Sequence, residues 1–122
     1  MCDGEGRPII LLLSEGQMSD HKGARLVLDA LPAASSLIAD RGYDSAWFRE
    51  ELEACGIEPC IPSSRSRKVP YDYDKALYRQ RHKVENLFAK LKDWRRVATR
   101  YDRCAHTFFS AICIAAAVIF WL

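Results

Sequence analysis

A chain of 122 residues, 49% apolar and 28% charged, has the composition of one small folded domain or a piece of a larger one and excludes a disordered tail. Its five cysteines (Cys2, Cys55, Cys60, Cys104, Cys113) include no Cys-x-x-Cys pair and follow no signal peptide, which argues for reduced, mostly buried thiols in a cytoplasmic protein. The net charge of +2 conceals an asymmetry: residues 1–60 carry 5 Lys/Arg and 11 Asp/Glu, residues 61–122 carry 13 and 5, so only the second half is suited to a polyanion.

In chain order, "GRPIILLLSEG" sets a Gly/Pro turn before an apolar run, Ile9 to Leu13, that reads as a strand closed by Gly16. Ser19 or Asp20 can cap the helix that follows, with Ala24, Val27, Leu28 and Leu31 at helical spacing until Pro32 stops it. "SSLIAD", residues 35–40, is a short apolar strand ending on a carboxylate. After the turn "RGYDS", Asp44 or Ser45 caps a helix running to about Cys55, and Gly56 suits the position past its end. "IEPCI" gives a further strand, Ile57 to Ile61, which Pro59 confines to a sheet edge because it has no N–H for the ladder. Strand, helix, strand, helix, strand argues for parallel pairing through crossovers, an α/β core.

A loop rich in Ser, Arg, Lys and Pro (residues 62–70) leads to two predicted helices, Tyr73 to Arg96 and Ala105 to Leu122. On a wheel of about 100° per residue, Tyr78, Arg81, Glu85 and Lys92 fall within one stripe roughly 60° wide. Leu77, Val84, Leu87, Phe88, Leu91 and Trp94 form the adjoining core-facing arc. The uncharged run Phe108 to Leu122 is shorter than the ~20 residues of a membrane span and predicts a helix buried in protein, not a membrane anchor. Arg81 and Glu85 also read as an ordinary i, i+4 ion pair, and Asp40 as a plain turn or cap residue. The carboxyl end of a strand in an open α/β sheet is nevertheless where ligand sites form.

The spacing Tyr78-x2-Arg81-x3-Glu85-x6-Lys92 resembles the Y-R-E-K signature of insertion-sequence transposases with an Asp-Asp-Glu (DDE) triad, of the IS-four and IS-five kinds. "ADRGYDS" is similar to their second-aspartate motif, and "GRPIILLLSEGQMSDHKGA" to the segment between their first two catalytic aspartates. The resemblance implies a ribonuclease H-like, retroviral-integrase-like catalytic domain with C-terminal helices, of which residues 1–122 form the C-terminal part and whose first catalytic strand lies upstream. It implies DNA cleavage and strand transfer with Asp40 and Glu85 as second and third members of the triad, holding two Mg²⁺ ions, with Mn²⁺ tolerated. Tyr78, Arg81 and Lys92 would grip DNA phosphates, and the "RSRK" residues Arg65, Arg67 and Lys68 are further candidates for DNA contact. The partners implied are double-stranded transposon ends and target DNA, an upstream-frame polypeptide supplying the first Asp, and further copies of the chain on DNA. Such a chain would be inactive alone, as a frameshift partner or a truncated relic. A non-catalytic DNA-binding protein derived from a transposase is the competing expectation.

Overall fold

The computed structural model describes residues 1–99 and 103–122, with Arg96 in its backbone alone. The chain divides into two units, Ser14–Arg81 and a second formed by Met1–Leu13 with His82–Leu122.

In the first unit, helix α1 (Asp20–Leu28) starts where the Ser19 hydroxyl accepts from the Lys22 N–H at 3.4 Å. It closes through tight turns, Ala30 N–H to Val27 O and Leu31 N–H to Leu28 O, before Pro32. Strand β1 (Ser36–Ile38) pairs in parallel with β2 (Glu58–Cys60), in the register Ser36 with Glu58, Leu37 with Pro59 and Ile38 with Cys60. Helix α2 (Ala46–Ala54) is the crossover between them. Ser45 supplies its cap, accepting from the Phe48 N–H at 3.0 Å, and Gly56 takes a φ of 74° just past its end, where a Cβ would be strained. The predicted strand–helix–strand order is therefore present, in shorter strands.

The core of this unit is Ala24, Phe48, Leu52, Ile57 and Ile61, with Leu28, Leu31, Leu37, Tyr43 and Trp47 packed around it. Phe48 and Leu52 are one helical turn apart on α2, so a single face of that helix meets α1 and the sheet. Helix α3 (Lys75–Tyr78) is a single turn, capped by Asp74, whose Oδ1 accepts from the N–H groups of Ala76 and Leu77 at 2.9 and 3.0 Å. A 3₁₀ turn, Arg79–Arg81, ends the unit.

In the second unit, helices α4 (His82–Lys92), α5 (Arg95–Ala98) and α6 (Ala105–Trp121) are accompanied by the N-terminal segment. Leu87 and Leu91, one turn apart on α4, are buried with Ala115 and Ala116 of α6, where small side chains allow close approach of the helices. The first ten residues fold back as a hairpin with one antiparallel bridge, Cys2 with Pro8. Asp3 shapes the turn: its Oδ1 accepts from the N–H groups of Glu5 and Arg7 and its Oδ2 from Arg7 Nε, each at 2.9 Å. Trp121 anchors the hairpin to α6 through Nε1–H to Pro8 O at 3.1 Å, with the Arg7 guanidinium 4.8 Å from its ring.

Several expectations are corrected. Ile9–Leu13 forms no strand: Ile9 N–H reaches Met1 O and the Met1 amino group reaches Ile10 O, but among the described residues no segment continues the ladder along Leu11–Leu13. The helix expected over 73–96 is broken into α3, a 3₁₀ turn, α4 and α5. Like charges at Arg79 and Lys83 would stand at i and i+4 on an unbroken helix and disfavour it. Phe88 and Trp94, assigned to the core arc, are exposed, Phe88 by 52%. Helix α6 is not buried all round either, since Ile114, Val118 and Trp121 share an exposed face. Among the described residues no helix is long and apolar enough to cross a membrane. Of the cysteines only Cys60 is buried; Cys55, Cys104 and Cys113 are exposed.

Candidate functional site

Asp40 lies two residues past the end of β1 and caps the tight turn Arg41–Tyr43, with its Oδ1 accepting from the Gly42 N–H at 2.9 Å. The turn or cap role allowed by the sequence is therefore real, and it fixes the carboxylate at the strand's carboxyl end. Among the described residues no protein donor reaches its second oxygen, Oδ2. A Cβ on Gly42 would overlap the carboxylate of Asp20, the first residue of α1, and stand 3.1 Å from Asp40 Oδ1. Glycine at this position lets two carboxylates approach one another. Burial raises the pKa of the neighbouring Tyr43 hydroxyl, and the charges of Asp20 and Asp40 push it in the same direction.

The donors near Asp40 are hard oxygens of the kind Mg²⁺ takes, and that ion commonly needs one or two protein carboxylates, completing its shell with water and phosphate. Among the described residues no group of three or more His, Cys, Asp or Glu side chains is arranged to hold a metal ion.

Four residues beyond Asp40, Asp44 is half-buried as a residue, but its side chain is enclosed, with an exposure of 0%. Its Oδ1 accepts from Arg49 Nε at 3.0 Å and from Arg67 Nη2 at 3.1 Å. Its Oδ2 accepts from Arg67 Nε at 3.0 Å and from the Ser64 N–H at 2.6 Å. Burial by itself would raise the Asp44 carboxyl, but the Arg67, Ser64 and Arg49 donors outweigh it and bring the pKa down to about 2. Arg49, only 3% exposed, also donates through Nη2 to Ile61 O at 2.7 Å. Arg49 and Arg67 lie 4.2 and 4.7 Å from the Tyr71 ring. The sequence reading missed Arg49, Asp44 and Tyr71 as a group. The available signal was an arginine on α2 between the buried Phe48 and Leu52, where an unpaired charge could not stay.

The predicted DNA-contacting residues separate on this basis. Arg65 and Lys68 are exposed on the 62–70 loop, whereas Arg67 is committed to Asp44. Tyr78 is half-buried in α3, edge-on to Tyr73 with ring centroids 5.5 Å apart, and Arg81 is half-buried in the 3₁₀ turn. Glu85 and Lys92 are exposed on α4 and, seven residues apart, lie on one face of it. A 100° wheel holds only within one α-helix, so the 3₁₀ turn, which advances about 120° per residue, removes the basis for a single four-residue stripe.

A parallel strand–helix–strand layer with a carboxylate just past the strand's end defines an α/β domain of the kind that places ligand sites at the carboxyl ends of its strands. The chain belongs to the transposase DDE domain family, whose model matches residues 1–120 and whose domain is ribonuclease H-like. It is similar to the Brucella ovis protein named "Putative transposase for insertion sequence element IS6501", 32% identical over 126 residues that cover 100% of this chain and 94% of that one. It is also similar to the Burkholderia cepacia protein named "Putative transposase for insertion sequence element IS402", 28% identical over 132 residues. There the match covers 99% of this chain but 60% of the relative. No solved structure matches.

Proposed function

We propose that the chain is the C-terminal part of the catalytic domain of an IS-four/IS-five-kind transposase and serves phosphodiester cleavage and strand transfer on insertion-sequence DNA. The observation that carries this reading is the family match over residues 1–120, which includes Asp40 at the end of β1 and Glu85 on the exposed face of α4. Asp40 and Glu85 are the carboxylates assigned to Mg²⁺, which when bound supplies charge neutralisation at phosphorus and an activated water or 3′-hydroxyl. The chain's own residues do the rest. The Gly42 N–H orients the Asp40 carboxylate, the nearby Asp20 charge keeps the surroundings negative, and Tyr78, Arg81, Lys92, Arg65 and Lys68 are assigned to the DNA backbone. Backbone contacts position DNA without reading its sequence.

The test is Asp40→Asn and Glu85→Gln, each placed in a transposase complete with its first aspartate. Strand cleavage is expected to vanish in both while DNA binding remains; cleavage at the wild-type rate by either variant refutes the assignment of that carboxylate. Metal-independent DNA binding that tolerates loss of Glu85, in a parent enzyme that never cleaves, is the outcome belonging to a non-catalytic binding protein.

A further inference from the structure

The 62–70 loop is not passive. Its neck is closed by the Tyr71 N–H on Ser63 Oγ at 2.7 Å, and the Arg67 N–H returns to Ser64 O at 3.2 Å, leaving Arg65 and Ser66 at the tip of a tight turn. Directly behind that tip, the Ser64 N–H and two nitrogens of Arg67 are fixed on the buried Asp44 carboxylate. A guanidinium held by both Nε and Nη2 on one carboxylate has its side-on fork occupied and its charge balanced by that carboxylate, so it is a poorer phosphate ligand than the uncommitted cations beside it. Withdrawing it would leave a fully buried carboxylate short of two donors. Arg65 and Lys68 bear no such commitment to Asp44 and point their charge from the exposed part of the loop.

Resting on the DNA-processing reading above, we infer that the Asp44–Arg67 ion pair is a latch that presents Arg65 and Lys68 to the phosphates of DNA, with Arg67 a positioning residue that touches no phosphate. The pair also fixes the loop to the segment that follows the Asp40 turn, since Asp44 stands four residues after Asp40 and immediately before the cap of α2. A loop ordered in advance spares the cost of freezing it on binding, which is what a positioning pair contributes to affinity.

The experiment measures binding of the full 122-residue chain to a short random-sequence DNA duplex by fluorescence anisotropy across a series of KCl concentrations. Each phosphate contact contributes about 0.9 to the slope of log affinity against log salt, so the double variant Arg65→Ala/Lys68→Ala is expected to lose roughly 2 from the wild-type slope. Both residues are exposed and outside the core, so this variant keeps its fold. Arg67→Ala alone is expected to lower the slope and to speed tryptic cleavage after Arg65 and Lys68, because the loop is released. Arg67→Lys, which retains a charge for Asp44, is expected to recover part of both. Added to the double variant, Arg67→Ala is expected to change the slope no further.

An additional loss of about 0.9 in that triple variant makes Arg67 a direct phosphate ligand and overturns the inference. So does a slope left intact by Arg67→Ala when tryptic cleavage shows the loop open. Salt-dependent binding by the wild type that is indifferent to Arg65→Ala/Lys68→Ala overturns the loop's role and leaves the DNA-processing reading standing. Absence of binding by the wild-type chain overturns both.

Discussion

Replacing Asp44 by Asn removes one negative charge from a fully buried position that two guanidiniums share. Two independent routes give the magnitude. The Asp44 pKa is about 2 in the folded chain against an ordinary value near 3.9, and at about 1.4 kcal/mol per unit the folded state favours the ionised form by roughly 2 to 3 kcal/mol. Independently, stripping the partner from a buried cation costs about 3 to 5 kcal/mol, and Arg49 is only 3% exposed. The two figures describe one interaction and do not add. Asp44→Asn is therefore expected to lose about 3 kcal/mol at neutral pH, a large share of the roughly 5 to 15 kcal/mol available to a small domain.

The sign of the pH dependence follows from the direction of the shift. A carboxyl whose folded pKa is depressed contributes its full stability above the unfolded value, so the contribution is complete above about pH 4 and is lost as the pH falls toward 2. Urea unfolding followed by far-ultraviolet circular dichroism, repeated from neutral pH downward, reads both effects. The wild type should show an acid limb across that window, and the Asn variant should begin lower and show a shallower one. An Asn variant within about 0.5 kcal/mol of wild type, the ordinary range for an inconsequential surface change, would refute the buried-node account.

Two other outcomes are expected. Gly42→Ala places a Cβ against the carboxylate of Asp20, the far end of an exposed and flexible side chain that can swing aside, and should cost less than about 1 kcal/mol; a drop in thermal midpoint equivalent to several kcal/mol would show that the Asp20 carboxylate is held where it stands. With a maleimide in the folded state, Cys55, Cys104 and Cys113 should react quickly, whereas Cys60, buried and with its thiol pKa raised by burial and by the Asp74 charge, should react only on unfolding; rapid labelling of Cys60 followed by mass spectrometry would contradict its placement.

The parts of the fold that could be read from the sequence rest on short-range chemistry. Ser19 and Ser45 as caps and Gly56 at positive φ are decided by residues a few positions apart, while the parallel β1–β2 pair, 22 residues apart in register, follows from the order of elements, a strand, a crossover helix and a strand. The Asp44 node is not, because Arg67 lies 23 residues away and no periodicity announces a pairing across that distance. The exposed side of α6 escaped for a related reason: an apolar helix signals that it wants cover, while the residues available to cover it are a property of the tertiary fold. For the candidate site, the motif spacing picked out Asp40 and Glu85. It could not show that a 3₁₀ turn interrupts the helix expected to supply Tyr78 and Arg81, since a wheel drawn at one helical period has no means of marking a change of period. Nor could it separate Arg67 from Arg65 and Lys68, three cations of one loop with different partners.

The hairpin at the beginning of the chain bears on how the protein is best handled. The Met1 amino group donates to Ile10 O at 2.8 Å, and its burial lowers its pKa. A purification tag fused there would replace a desolvated ammonium with an amide that can still donate to Ile10, so the junction would be tolerated. Residues added there would begin beside Ile10, next to Leu12 and Leu13, both exposed, so an apolar tag would have apolar surface within reach. Leu122, 98% exposed, offers the neutral attachment point.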